Sequence, residues 1–266
     1  MFPRVNFAIF VSLVSIGSIR ADEEGRIVNG ENAEYGQFPY QAMLLLQMSQ
    51  GTALCGGSLI NSRYVVTAGH CVDGIKSIQV RLGSIFFNGR NPDGSPDGSV
   101  VMNTTDFAAH PDYDPNTLQN DIALVHLPEA VEFTDRIAPV ALPAGNDDYT
   151  GRVAIASGFG LTRTAGSPAD RLKFAPLNVI SNGACRFFYP GGTVQPTTLC
   201  CRGDNRRSTC NGDSGGPLTL EDNGQTALIG VVSFGNRFAG CDAGFPVGFT
   251  RVTEFVDYIE ENTADG

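Results

Sequence analysis

Positive charge is scarce in this chain. Lys and Arg total 18 against 28 Asp and Glu, a net charge of −10 over 266 residues. That excludes a protein that holds nucleic acid through a net positive field. Long apolar runs are missing beyond the amino terminus, which excludes a membrane-spanning helix there. Helical periodicity is missing until the end of the chain, and no low-complexity linker or repeat separates functional domains. Tryptophan is absent altogether. The low charged fraction, 17%, comes with 42% hydrophobic residues, a globular balance that argues against disorder.

What is present has a β character. Glycine is abundant, at 32 residues, and short apolar or alternating runs recur between turn clusters. Residues 41–46, 64–67, 78–82, 122–125, 152–156 and 227–232 each have strand length and are rich in apolar or β-branched residues. Together they predict an all-β, loop-rich fold. Val252, Phe255, Val256 and Ile259 fall at i, i+3, i+4 and i+7, which predicts one amphipathic helix at the carboxyl end.

The amino terminus carries the one long apolar run. Arg4 precedes Phe7–Ile16, a run too short to span a bilayer and of the right size for a signal-peptide core. Gly17, Ser18 and Ala21 offer small residues at a cleavage point, so residues 1–21 are expected to be a leader. A secreted, extracellular protein in an oxidising compartment follows. Arg26 then precedes Ile27-Val28-Asn29-Gly30, as a trypsin-like activator would require. Residues 22–26 become an activation peptide and 27–266 the mature chain.

Three motifs carry chemistry. Thr67-Ala68-Gly69-His70-Cys71 places a histidine directly after a strand. Asn120-Asp121-Ile122 places an acid at the mouth of another. Asn211-Gly212-Asp213-Ser214-Gly215-Gly216-Pro217 places a serine in a glycine-rich turn. A serine hydroxyl is a poor nucleophile near neutral pH, so a histidine must take its proton during attack. A carboxylate must hold the imidazole in one tautomer and stabilise the imidazolium. The glycines let backbone N–H groups converge where an oxyanion forms. Alone, each residue reads as a turn or cap, and His110 or His126 would be equal candidates for the base. The three motifs in one chain point to His70, Asp121 and Ser214.

Two other features read as surface. Residues 88–98 form a Gly/Pro/Asp loop whose Asp93 and Asp97 fit no calcium-loop spacing. Asn103-Thr104-Thr105 is a glycosylation sequon, expected to be exposed.

The segments IVNG, TAGHC, NDIALV and GDSGGP jointly resemble the chymotrypsin/trypsin family of serine endopeptidases, from Ile27 to the terminal helix. Residues 36–41, 209–214 and 241–246 further resemble the arthropod brachyurins, which are chymotrypsin-like and collagenolytic digestive proteases. The resemblance implies two six-stranded antiparallel β-barrels with a C-terminal α-helix. The site would lie between the barrels, with His70 and Asp121 from the first and Ser214 from the second. The N–H groups of Gly212 and Ser214 would form the oxyanion hole. Ser233-Phe234-Gly235 would pair with the substrate backbone, with Phe234 where the family usually has Trp. Asp213 would receive the new amino group of Ile27.

The same resemblance implies disulfides Cys55–Cys71 and Cys210–Cys241. Cys185 has two candidate partners: a vertebrate chymotrypsin count points to Cys201 and the brachyurin pattern to Cys200. The brachyurin pairing is favoured and leaves Cys201 free as a small buried hydrophobe. Ser208 stands where trypsin-like members carry Asp, Gly235 keeps the pocket mouth open, and Val247 fills a wall position. An uncharged, shortened pocket is expected, taking Leu, Met, Ala, Phe or Tyr, and one apolar methylene discriminates by only about 1–3 kcal/mol. Arg237 reads as a solvated arginine near the entrance.

The expected function is a secreted serine endopeptidase made as a zymogen, with a digestive role. Its expected partners are protein or peptide substrates, a trypsin-like activating protease and protein inhibitors. A monomer is expected, with no cofactor, metal, nucleic acid or membrane. The alternatives are a protease-like binding protein without catalysis and a regulatory cascade protease.

Overall fold

Alternation sets the strands. In residues 77–82 the side chains of Ile78, Val80 and Leu82 are buried while Ser77, Gln79 and Arg81 are half exposed, which is the two-residue period of a strand with one wet face. A computed structural model describes residues 27–236, 238–264 and 266. The leader, the activation peptide with Arg26, and Arg237 lie outside the described residues.

A two-residue strand, β1 (Glu31–Asn32), leads in. Seven strands then form the first sheet: β2 (Gln41–Gln47), β3 (Thr52–Leu59), β4 (Tyr64–Thr67), β5 (Ser77–Leu82), β6 (Val100–Thr104), β7 (Phe107–Ala109) and β8 (Ala123–His126). Their order is β6-β5-β2-β3-β4-β8-β7 and every pairing is antiparallel. The edge strands β6 and β7 are successive stretches of chain separated only by Thr105 and Asp106. The sheet is thus a half-barrel by hydrogen bonds whose ends are joined by one bent segment. The bend is held by His126 N–H donating to Asp106 O at 2.9 Å and by Thr104 Oγ1 donating to His126 O at 2.8 Å.

The second sheet holds β9 (Val153–Gly158), β10 (Lys173–Ile180), β11 (Thr198–Arg202), β12 (Pro217–Asp222), β13 (Gln225–Phe234) and β14 (Val247–Arg251). It runs β10-β11-β14-β13-β12-β9 and closes where β9 pairs with β10, with β1 added on β10. Pro176 sits within β10 opposite Ile155. On the other edge of β10, β1 reaches residues 173 and 174 and β11 begins at 178. The missing proline N–H therefore falls in a gap between two ladders.

Each sheet encloses its own core. Leu44, Leu59, Val65, Ile122 and Val125 fill the first, joined by Val252, Phe255 and Ile259 from the carboxyl end. Leu177, Leu199, Leu218, Ile229 and Phe249 fill the second. Met43, Phe159 and Leu172 bury the seam between them. Fully burying one such side chain contributes about 1.5–3 kcal/mol.

The terminal helix is shorter than its apolar pattern. Residues Val252–Glu254 form a 3₁₀ turn, and only Val256–Asn262 are α-helical. Among the described residues, two α-helices precede it, Gly69–Val72 and Asn182–Phe188. The second is capped by Ser181, whose Oγ accepts from Ala184 N–H.

Disulfides join Cys55 to Cys71, Cys185 to Cys200 and Cys210 to Cys241. Cys201 is a buried free thiol, and burial pushes its pKa up. Successive strand residues point to opposite faces, so Cys200 faces Cys185 while Cys201 enters the second core. Among the described residues, no helix is long and apolar enough to cross a membrane.

Candidate active site

His70 lies in the short helix that follows β4, clamped by the Cys55–Cys71 bridge to β3. The helix packs tightly at Gly69, where a Cβ would come within 3.0 Å of the Tyr113 ring and 3.3 Å of Asp121 Oδ1. Asp121 enters from the loop before β8. Asn120, at φ 52°, turns the chain there, and its carbonyl accepts from Ile122 N–H at 2.8 Å.

The Asp121 side chain has no exposed surface and is densely satisfied. Its Oδ1 accepts from His70 N–H at 2.8 Å, and its Oδ2 lies 2.8 Å from His70 Nδ1. Oδ2 also accepts from Ser233 Oγ at 2.6 Å, and the Asp121 carbonyl accepts from Thr250 Oγ1 at 2.6 Å. A carboxylate only accepts, so the imidazole proton sits on Nδ1 and Nε2 is left as the acceptor. The other end of the imidazole faces the cleft, and the His70 side chain keeps 26% exposure.

Ser214 comes from the turn before β12. Gly212 holds φ +93°, and a Cβ there would meet Leu54 Cδ2 at 3.0 Å and Gly160 Cα at 3.1 Å. The turn is fixed by Asp213 N–H to Cys210 O at 3.0 Å, Gly216 N–H to Asp213 O at 2.9 Å and Gly56 N–H to Ser214 O at 2.8 Å. Among the described residues, the N–H groups of Gly212 and Ser214 donate to no protein acceptor. Two free donors beside a serine hydroxyl are what a developing oxyanion requires.

Asp213 is fully buried behind this turn. Gly160 N–H donates to its Oδ1 at 2.8 Å and Cys210 N–H to its Oδ2 at 2.9 Å. Gly160 makes room for it: a Cβ there would lie 2.5 Å from the carboxylate carbon. No cation pairs with Asp213 among the described residues, and burial pushes its pKa up to about 7 against the pull of the two amides. Ile27 is buried, and Val28 N–H donates to Ser208 O at 3.2 Å.

One cleft of about 460 Å³ is lined by His70, Ser208, Ser214, Ser233, Phe234, Gly235 and Val247 together. Ser208 and Val247, both uncharged, are 3% exposed each. Ser208 Oγ donates to Thr209 O. Asp73, Tyr113, Leu118 and Phe245 are among the other lining residues. Sequence reasoning assigned none of these four to the cleft: Asp73, Tyr113 and Leu118 lie in loops with no motif of their own, and Phe245 lies in the 241–246 segment without a role being read for it. The Tyr113 hydroxyl is pushed up to about 12, first by burial and then by Asp121.

The other histidines stand elsewhere. His110 packs on Phe255 and Tyr258, and His126 pairs with Asp106 at 2.8 Å and stacks on Tyr64. The loop at 88–98 keeps Asp93 exposed and turns Asp97 inward. Asp93 accepts from Ser95, and Asp97, only 3% exposed, accepts from Ser84 Oγ and Ser99 N–H. The expected surface loop is therefore pinned at Asp97. Cys55, His70 and Cys71 present potential metal-ligand atoms within 4.8 Å of one another, but both sulfurs are bonded to each other and no thiolate remains.

A closed barrel and a half-barrel flanking a Ser, His and Asp cleft define a chymotrypsin-like fold. Known proteins agree. The Trypsin family model matches residues 27–259. A collagenase from Hypoderma lineatum is 41% identical over 90% of this chain and 88% of its own. A brachyurin from Leptuca pugilator is 39% identical over 89% of this chain and 98% of its own. A solved structure of HL collagenase superposes with a TM-score of 0.79, at 38% identity, over 89% of this chain and 98% of its own. The chain belongs to the trypsin family of serine endopeptidases.

Proposed function

We propose that the chain is a secreted precursor of a digestive endopeptidase that cuts after uncharged residues. The observation that carries the catalytic assignment is the His70–Asp121 pair beside a serine flanked by two free N–H donors. Ser214 Oγ attacks the peptide carbonyl while His70 Nε2 takes its proton. Asp121 holds the ring and stabilises the imidazolium. The carbonyl oxygen becomes an oxyanion facing the N–H groups of Gly212 and Ser214. His70 then passes the proton to the leaving amine, and water hydrolyses the acyl-enzyme by the reverse proton path.

Ser233, Phe234 and Gly235 lie along one edge of the cleft and supply a backbone edge for the substrate. An uncharged Ser208 and the bulk of Val247 in the wall favour Leu, Met, Ala, Phe or Tyr before the scissile bond. The precursor reading rests on Asp213. In the uncut chain the Ile27 nitrogen is an uncharged amide. Cutting after Arg26 would create an ammonium able to pair with the buried carboxylate and order the turn at Gly212.

The test is a peptide-library profile of the trypsin-treated protein, with Arg26→Gln and Ser214→Ala as controls. Cleavage after uncharged residues is expected, with none from either control. Dominant cleavage after Arg or Lys would overturn the pocket reading, and equal activity of Arg26→Gln would overturn the precursor reading.

A further inference from the structure

The sequon at Asn103-Thr104-Thr105 starts on β6, none of whose residues lines the cleft. It is the one Asn-X-Ser/Thr sequence in the chain with X other than Pro. Val101, Asn103 and Thr105 are exposed while Met102 and Thr104 are buried, so the acceptor asparagine projects outward. Asn103 Oδ1 accepts from Gln79 Nε2 at 3.4 Å, while Asn103 Nδ2 donates to no protein group among the described residues. The Thr105 hydroxyl is likewise without a protein partner among them. Thr104, the middle residue, is the one that the fold consumes: its Oγ1 donates to His126 O and accepts from Asp106 N–H. The two groups that glycosylation uses are thus outward and free, and the residue it does not use does the structural work.

We propose that Asn103 carries an N-linked glycan, a proposal that rests on the secretion reading above. A lipid-linked oligosaccharide diphosphate is the donor. Asn103 Nδ2 forms a bond to C1 of the first sugar, the bond from C1 to the lipid diphosphate breaks, and the amide proton is lost to base. The attached sugar stands beside Val101, which is 45% exposed on the same face of β6. β6 is the end strand of its sheet, with no ladder on its second edge among the described residues. An edge strand with an exposed apolar side chain is a template for pairing with another chain, and a bulky polar group there blocks that approach.

The full chain is expressed in an insect-cell host, and lysate and medium are both probed before and after peptide-N-glycosidase treatment. One discrete downward mobility step is expected for the parent. Asn103→Gln and Thr105→Ala should run at the treated position, and Thr105→Ser should keep the step. All forms should cleave a small peptide at the parent rate after activation, because no cleft residue is touched. A parent band that does not move in either fraction overturns the glycan. Where the chain is found tests secretion separately: a sugar-free band in the medium keeps the secretion reading and sinks this one.

Discussion

Each half of the molecule buries a carboxylate, and the two are satisfied to different degrees. Asp121, in the first half, accepts from His70 N–H, His70 Nδ1–H and Ser233 Oγ. Asp213, in the second, accepts from two backbone amides and has no charged partner among the described residues. The frames differ in the opposite sense. The second sheet closes on itself through the β9–β10 ladder, whereas the first closes through a bend at Thr105 and Asp106. The better-closed barrel holds the less satisfied acid. An incomplete acid in a complete frame is a group that a new ligand can switch, and this matches the proposed role of the Ile27 amino group. A complete acid on a half-barrel is an anchor, drawing donors from both halves.

The largest break in this comparison comes from Asp121→Asn. The amide presents N–H as well as C=O to the ring and favours the wrong imidazole tautomer. A fall in kcat of about 10⁴-fold is expected, with a much smaller change in KM. Steady-state kinetics on a small peptide check it. A loss under tenfold would mean that Asp121 does not orient His70.

Asp213 gives the next effect, read as stability against pH. Its folded pKa, about 7, lies above its ordinary value of 3.8. The uncut fold therefore binds this proton more tightly than the unfolded chain. That contribution is fully present below about pH 4 and is lost as pH rises to about 7, on the order of 4 kcal/mol in all. Uncut Arg26→Gln protein should show a denaturation midpoint that falls across this window, and Asp213→Asn in the same background should flatten it. Activated enzyme should lose the slope, because an ammonium beside Asp213 favours the charged form. Identical slopes before and after cutting would break the contrast between the two acids.

The strands with clean alternation and the motif residues were legible in the sequence. Residues 64–67 are β4 without adjustment, and His70 and Ser214 line one cleft with Asp121 buried behind the His70 ring. What escaped was set by contacts distant in sequence. β3 carries Gly56 and Gly57, which read locally as a turn, but a Cβ at 56 would strike Gly216 Cα at 2.7 Å, so the strand needs them for close barrel packing. β10 hides behind Pro176, tolerable only because two neighbouring ladders leave a gap there. The terminal helix has a 3₁₀ segment in place of its first turn, with Val252 and Phe255 packed in the first core. The family resemblance implies a substrate contact for Ser233, but nothing local announces its bond to Asp121, 112 residues away.

Thr250 tests the comparison at its finest point. It belongs to β14 in the closed barrel, is 4% exposed, and donates to the Asp121 carbonyl 129 residues earlier. Ser233, on β13, makes the companion bond to the carboxylate. The closed barrel therefore holds the acid of the half-barrel at two points, one on the side chain and one on the backbone. Thr250→Val keeps the shape and removes the hydroxyl, leaving a buried carbonyl short of a donor, at a cost of about 1–3 kcal/mol. The substrate does not touch this bond, so the expected kinetic effect is on kcat, about tenfold, with KM unchanged. Thr250→Ser restores the hydroxyl and should recover both. If Thr250→Val loses stability but keeps kcat, the strut merely joins the barrels, and Ser233 alone carries the cross-barrel positioning of Asp121.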